Sequence, residues 1–467
     1  MKLKIFLITL VVTTVSLQIN SLNFLTTAES VSWNGAYTSV ADSFEAMLYN
    51  PAGIYMTEKK WGLNAFGSSG IRVYNNTLST SDLLKVFNLM KTNNGDITDF
   101  VKTKMSLMPD LNGFDLGFDL SMFNFMFFYK TKDYGFSFSF LPKTYITASL
   151  SKSIFQTVFD KLDVEKGINA KISATAMQYF DLNFSLSTRV RFLEKAMPFF
   201  NAIYAGVTGH VYIPTFFANV VGEGSVYKGS PNADGIYSYR LKLNPKMIFS
   251  GIAPNFFTLI PNSPIPFQSG TGGVGFGFDM GFILEFNRFV KVGFSITDLG
   301  FFALSANQIE TAVDLDIMDV QNISTNLLNS FKNTKSQLIS YGWMPATSFR
   351  LGVLVTPVKH KYFDLLIAGD ISVTDLQRAI NGEYATFNVS TGVEFTPKTG
   401  NNKLKFPLRL AFNYNTQANA PSFSWGFGLH AGPVEMEVAI RGLEVLISGW
   451  GAKEIAIAYD FKFEFDK

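Results

Sequence analysis

Phe180-Asp181-Leu182-Asn183-Phe184-Ser185-Leu186-Ser187-Thr188-Arg189-Val190-Arg191 decides the architecture. Phe180, Leu182, Phe184, Leu186 and Val190 alternate with Asp181, Asn183, Ser185, Ser187, Arg189 and Arg191, and an extended chain puts these two sets on opposite faces, one oily and one hydrated. The same rhythm sets Phe276, Phe278, Met280, Phe282, Leu284 and Phe286 against Gly275, Gly277, Asp279, Gly281 and Glu285. Phe387, Val389, Thr391, Val393 and Phe395 alternate with Asn388, Ser390, Gly392 and Glu394, and the last segment sets Ile455, Ile457, Tyr459, Phe461, Phe463 and Phe465 against Asp460, Lys462, Glu464 and Asp466. Such runs exceed the globular strand mode of about 5–6 residues and are long enough to cross a bilayer when tilted. A water-soluble sandwich alternates too, but it buries its oily face on a second sheet and seldom needs this length or so much Phe. Repetition of the pattern therefore predicts a transmembrane antiparallel β-barrel.

Connection lengths test that reading, because such barrels alternate short turns at one end with longer loops at the other. Short links fall at Lys130–Asp133, Asn287–Arg288, Lys359–His360, Pro397–Asn402 and Ala431–Pro433. Long ones fall at Asn75–Asp110, Ser151–Lys171, Leu299–Ala346, Thr374–Glu383 and Gly442–Lys453, with Asn415–Ala420 intermediate. From Tyr129 onward the two kinds alternate. Pro214–Thr271 holds either a folded loop or one more hairpin, so the expected barrel has about 14 strands, or about 16 with that hairpin. Leu83, Leu84, Phe87 and Met90 recur at helical spacing in one long loop, and Ile309, Val313, Ile317, Val320, Ile323, Leu327, Leu328 and Phe331 in another, which predicts partly helical loops.

Composition agrees. Of 467 residues 47% are hydrophobic, 15% aromatic and only 16% charged, so the chain is not a disordered polymer. A net charge of +2 offers no basic excess to neutralise phosphates, which speaks against a nucleic-acid ligand. The absence of cysteine excludes disulfides, thiolate catalysis and Cys-zinc sites. Lys2 and Lys4 precede an apolar core, Ile5–Leu17, that is too short to span comfortably as a helix, and small residues follow at Ser21, Ala28 and Ser30, the pattern of a secretory leader over residues 1–29. Two later stretches without charge, Ala196–Gly222 and Met247–Phe278, carry repeated Pro and Gly. The first alternates and reads as a strand, and prolines 254, 261, 264 and 266 would break a helix in the second.

Catalytic and cofactor chemistry finds little support. Gly270, Gly272 and Gly275 fit G-x-G-x-x-G, but a Pro-rich stretch precedes them and a strand follows, whereas dinucleotide binding needs a strand before and a helix after. No two of His210, His360 and His430 stand at the i, i+4 spacing of a metal-binding helix face, and no cofactor or metal is expected. His210 or His430 could meet a Ser or Asp across the wall, as a barrel hydrolase would require, but a structural histidine is the simpler reading and no enzyme is expected. Asp115, Asp119, Asp181, Arg189, Arg191, Asp279 and Glu285 share the hydrated parity and are the candidate lumen-lining residues, because charge facing lipid is costly.

Gly35-Ala36-Tyr37-Thr38-Ser39-Val40-Ala41-Asp42, followed by Tyr49-Asn50-Pro51-Ala52-Gly53, resembles the FadL-type long-chain fatty-acid transporters of bacterial outer membranes. In that family a Gly-Ala-rich stretch, an Ala-Asp pair and Asn-Pro-Ala form an N-terminal hatch before the first strand. Gly293–Gly300 is similar to a strand end of FadL-like spirochaete barrels and of the broader PorV-type group. The residues permit a hatch: Pro51 fixes φ and withholds a donor, and Ala52-Gly53 lets the chain pass close to a wall. A helix-terminating turn after Asp42–Leu48 explains Asn50-Pro51 as well. The chain departs from the family in ending Asp466-Lys467 rather than on an aromatic, leaving Phe465 or Phe463 as the assembly signal.

The resemblance implies a leader over 1–29, a hatch over 30–59 and a barrel over 60–467, with Asp42, Asn50, Pro51, Ala52 and Gly53 as gating residues. It implies an outer-membrane location, the lipid bilayer and the barrel assembly machinery as partners, and passive uptake of a hydrophobic small molecule such as a long-chain fatty acid. PorV-type barrels instead dock a protein during secretion, and a surface adhesin or general pore is a third possibility that would work through its loops.

Overall fold

The computed structural model describes residues 27–92, 98–107, 113–159, 167–231, 237–257, 268–316, 330, 334, 336–376, 385–400, 403–416, 418, 420–446 and 451–466. Residues 1–26, most of the expected leader, lie outside the described residues. Where the sequence alternates, the chain is strand, and the two parities separate as lipid and lumen demand. Phe184 is 58% exposed on the outer face while Asp181 and Asn183 beside it are wholly buried. Phe387, Val389, Ile455, Ile457 and Tyr459 likewise face out, and Asn388, Ser390, Asp460, Lys462 and Glu464 face in.

The strands are β1 (Trp61–Asn75), β2 (Phe114–Lys130), β3 (Tyr134–Leu150), β4 (Ile168–Arg189), β5 (Ala202–Pro231), β6 (Tyr237–Ser250), β7 (Gly272–Asn287), β8 (Val290–Glu310) and β9 (Val313–Asp316). They continue as β10 (Ser336–Trp343), β11 (Ser348–Lys359), β12 (Phe363–Thr374), β13 (Thr386–Pro397), β14 (Leu404–Lys405), β15 (Leu408–Asn415), β16 (Ala420–Ala431), β17 (Val434–Arg441) and β18 (Glu454–Phe465). Fourteen close an antiparallel ring in the order β1-β2-β3-β4-β5-β7-β8-β11-β12-β13-β15-β16-β17-β18, and β18 returns to β1. Closure leaves no unpaired edge for lipid to meet.

The Pro214–Thr271 question resolves in favour of an added hairpin that leaves the ring at fourteen. β5 runs on past Pro214, β6 returns beside it, and β6 then pairs with β8 beyond the point where β7 starts. β10 does the same for β11, pairing with β8 from Phe302 to Ile309. Each strand takes over from its neighbour at the long-loop end, so the hairpin adds height rather than girth.

Two expectations need correction. Leu299–Ala346 is not one long link, since β8 extends to Glu310 and β9 and β10 lie within it. Ile309 and Val313, read as the start of a loop helix, are strand residues, and positions 317–329 and 331 lie outside the described residues. The other loop helix is present at Thr80–Thr92. A short-end connection unread in the sequence joins β4 to β5 through the helix Arg191–Ala196, which removes Arg191 from the strand face assigned to it. Among the described residues no helix is long and apolar enough to cross a membrane, and the crossing elements are strands.

Candidate functional site: the lumen and the segment within it

Thr27–Tyr55 packs against all fourteen wall strands, and nearly every residue in it is buried. Thr27 caps the helix Ala28–Ser32, a second helix forms over Ala46–Tyr49, and Asn50 caps a 3-10 helix, Pro51–Tyr55. Asn50 accepts the Ala52 N–H at 3.2 Å and donates to the carbonyls of Thr38 at 3.0 Å and Phe282 at 3.2 Å, so it ends one helix, starts the next and ties both to β7. Pro51 at the first turn lacks a donor that would have had no partner there. Close approach follows from glycine: a Cβ on Gly281 would overlap the Asn50 carboxamide, and one on Gly206 would overlap Pro51. Gly53 passes against the Ala41 carbonyl for the same reason.

Charge holds the opposite side. Arg409 on β15 pairs with Glu394 at 2.6 Å, Glu437 at 2.7 Å and Glu29 of the segment at 3.2 Å. Lys462 on β18 pairs with Glu45 at 3.0 Å and Glu29 at 3.5 Å, and Asp460 accepts the Ala28 N–H at 2.7 Å. Glu464 accepts from Ser43, and Asp370 on β12 accepts the Tyr37 and Thr38 N–H groups at 3.1 and 2.8 Å. Burial raises the Glu45 carboxyl well above its ordinary range, more than Lys462 lowers it. Asp42 is the exposed residue of this stretch. Enclosure by the barrel, then Glu29, nevertheless push its carboxyl up to about 7.

The lumen-lining candidates divide into two groups. Asp115, Asp119, Asp181 and Asp279 are buried inside the ring. Asp181 and Asp279 flank His210, at 3.1 Å from Nδ1 and 3.0 Å from Nε2, and Asp181 also pairs with Lys143 at 2.7 Å. Both ring nitrogens of His210 thus lie beside carboxylates. Arg189, Arg191 and Glu285 lie at the short-turn end: Arg189 pairs with Glu194 at 2.7 Å, Arg191 with Asp133 at 3.6 Å, and Glu285 reaches the Tyr204 hydroxyl at 3.5 Å. Among the described residues no three His, Asp or Glu side chains are placed to hold a metal ion.

Sequence reasoning missed an aromatic cluster on the inward face. Tyr145, Met177, Tyr179, Tyr212, Phe217, Ile248, Phe302 and Leu304 form it, with Tyr341 and Trp343 of β10 packed over it. Tyr212 stacks on Phe302 at 4.8 Å and Tyr145 on Trp343 at 5.7 Å, and a Cβ on Gly277 would overlap the Tyr212 ring. Two bulges place these groups. Gln178 pairs with Phe216 but Tyr179 with Pro214, so Thr215 is extra, and Phe217 turns inward where strict alternation would face it out. The β7–β8 ladder slips at Asp298, whose φ is 58°, so Phe302 and Leu304 take the inner parity while Leu299 and Phe301 keep the outer.

Opposite this face lies a small polar cavity, partly open to solvent. Its floor is Asn34, Gly35 and Tyr49 of the N-terminal segment, and Arg72, Asn388, Ser390, Asn413 and Arg441 are among its walls. The two faces meet at one seam, where Arg72 stands opposite Asp119 on β2 and Asp119 opposite Tyr145 on β3.

Comparison with known proteins gives three findings. No curated protein matches. Among solved structures the chain is similar to the monoaromatic hydrocarbon channel CymD, at 11% identity over 95% of this chain and 99% of that chain with a TM-score of 0.45. It is also similar to the Ralstonia pickettii toluene transporter TbuX, at 10% identity over 93% and 98% with a TM-score of 0.42, and to a Pseudomonas aeruginosa FadL homologue, at 10% over 97% and 99% with 0.44. The model of a family of unknown function, DUF5723, matches residues 51–439, and by that span the chain belongs to this family.

Proposed function

We propose that this chain is an outer-membrane channel for hydrophobic small molecules, closed by its N-terminal segment and binding its ligand against the aromatic cluster. The observation that carries the reading is the cluster itself: twelve aromatic or aliphatic side chains gather inside the ring, beside an inner face rich in charged and hydroxylic groups. The other large apolar clusters include the N-terminal segment or the loop helices, whereas this one holds no residue of either and offers an oily molecule a face to rest on. Tyr341 and Trp343 are the groups a ligand displaces, because β10 is paired along one edge, to β8, among the described residues. Long-chain fatty acids suit this face, since each methylene withdrawn from water contributes about 0.8 kcal/mol. Residues 30–59 act as the hatch, with Asp42 and Asn50–Gly53 at its moving end. The break in the β1–β18 ladder between Leu63 and Ser69 is the exit toward the bilayer.

Naphthalene titrated into the protein in lipid nanodiscs tests this. Saturable binding should quench Trp343 fluorescence and weaken about tenfold in Tyr212→Ala, equivalent to about 1.4 kcal/mol. Absence of saturable binding to the folded protein, measured against empty nanodiscs, contradicts the channel reading and favours a protein-docking role.

A further inference from the structure

We infer that the polar cavity above the N-terminal segment is a second subsite, built for a neutral hydrogen-bonding head group, so that the channel takes ligands with an oily body and an uncharged hydroxyl, carbonyl or amide end. This rests on the channel reading and deepens it.

Charge balance carries the first step. The two guanidinium groups at the cavity are Arg72 and Arg441, and both are committed. Glu454 lies 2.6 Å from Arg72 Nε and 3.1 Å from Arg441 Nη1, and Asp119 lies 3.5 Å from Arg72. Two cations and two carboxylates cancel within the same buried cluster. Arg441 also donates to Ser422 Oγ and Asn413 Oδ1, at 3.2 and 3.1 Å. A carboxylate arriving here would meet Glu454 and Asp119 and gain no unmatched positive charge, while losing its hydration.

Hydrogen-bonding capacity carries the second. Most of the remaining lining is amide and hydroxyl, from Asn34, Asn388, Asn413, Asn415, Ser372 and Ser390, with Gly35 and Tyr49 completing it. Asn413 donates to Ser390 at 2.7 Å, and Asn34 donates to the Ser422 carbonyl at 2.9 Å. Asn388 is 7% exposed, and its Nδ2 has no partner among the described residues. A buried amide donor without an acceptor costs about 1–3 kcal/mol, a penalty that a ligand oxygen removes. Position carries the third step, since Asp119 stands opposite both Arg72 and Tyr145. A molecule whose body lies on Tyr145 has the cavity wall at Arg72 two strands away.

Three probes with one body separate the possibilities: naphthalene, 2-naphthol and 2-naphthoate, titrated at neutral pH by calorimetry into the full-length protein in nanodiscs, with empty nanodiscs subtracted. The inference expects 2-naphthol to bind at least tenfold more tightly than either of the others, and Asn388→Leu to bring 2-naphthol down to the naphthalene level without changing naphthalene. Naphthoate binding as tightly as naphthol would make the cavity an anion site and overturn the inference. Naphthalene equal to naphthol would show that the cavity contributes nothing to binding, and overturns it equally. Both outcomes leave the channel reading standing, whereas failure of all three to bind removes both. The ranking on the unsubstituted protein decides the matter even if Asn388→Leu does not fold.

Discussion

The N-terminal segment meets two unlike walls. Toward β15–β18 it is held by buried ions, with Glu29 and Glu45 locked to Arg409 and Lys462. Toward β3–β7 it is laid on glycine, with Pro51 against Gly206 and Asn50 against Gly281. The ionic wall fixes where the segment docks, because buried charges tolerate no other partner. The glycine wall allows close contact with a lighter directional grip, the Asn50 bond to the Phe282 carbonyl. If the segment is the hatch we propose, its release should begin at the 3-10 helix Pro51–Tyr55 and end at the helix Ala28–Ser32.

Removing a cation from the first wall breaks the comparison hardest. Arg409→Met strips Glu394 of its cation and leaves Glu29 and Glu437 to Lys462 and His430 alone, and should cost about 3–5 kcal/mol in urea unfolding from detergent micelles. An unchanged midpoint would mean that the ionic wall holds nothing. Gly281→Val, on the second wall, should cost less, about 1–3 kcal/mol, yet raise ion conductance by pushing Asn50 and Pro51 away from β7. Should Arg409→Met conduct more than Gly281→Val, the assigned order of release is reversed.

Acid sharpens the contrast in the opposite direction at the long-loop end. Glu45 has a raised pKa, so the folded segment binds its proton more tightly than the unfolded chain does, and its hold weakens as pH rises from about 4.5 through the raised value. Asp42, whose carboxyl is pushed up to about 7, acts in the same direction. Asp82, in the helix Thr80–Thr92, behaves the other way. Partial burial raises its pKa, but Lys104 at 2.7 Å and Ser79 lower it further, so its contribution is present above about 3.8 and lost as pH falls. Hydrogen exchange, corrected for its intrinsic pH dependence, should show acidification toward about pH 4.5 protecting Ala28–Tyr55, and only acidification below about 3.8 loosening Thr80–Thr92, by about 1 kcal/mol or less. Parallel responses in the two regions would refute the assignment of these carboxyls.

The barrel was legible because lipid and water enforce alternation on every residue of a long strand, as Phe184 beside Ser185 illustrates. The site was not, for two physical reasons. Single-residue bulges at Thr215 and Asp298 invert the parity, so Phe217 and Phe302 read as lipid-facing and lie inside. Partners such as Glu29 and Arg409 are brought together only by ring closure, which no local pattern encodes. The leader boundary shows the same limit. Thr27 and Ala28 fall within the small-residue exit of the leader pattern, yet both are buried, and the Ala28 N–H is bonded to Asp460. Mass spectrometry of the processed protein should accordingly find its first residue at or before Thr27, and a start at Ser30 would contradict that anchoring.

Conductance across planar bilayers tests the central claim most directly. The intact protein should stay closed, and the variant lacking Gly35–Gly53 should open in discrete, stable steps. Equal conductance from the two proteins, both shown to be folded, would contradict the assignment of this segment as the closure of the channel.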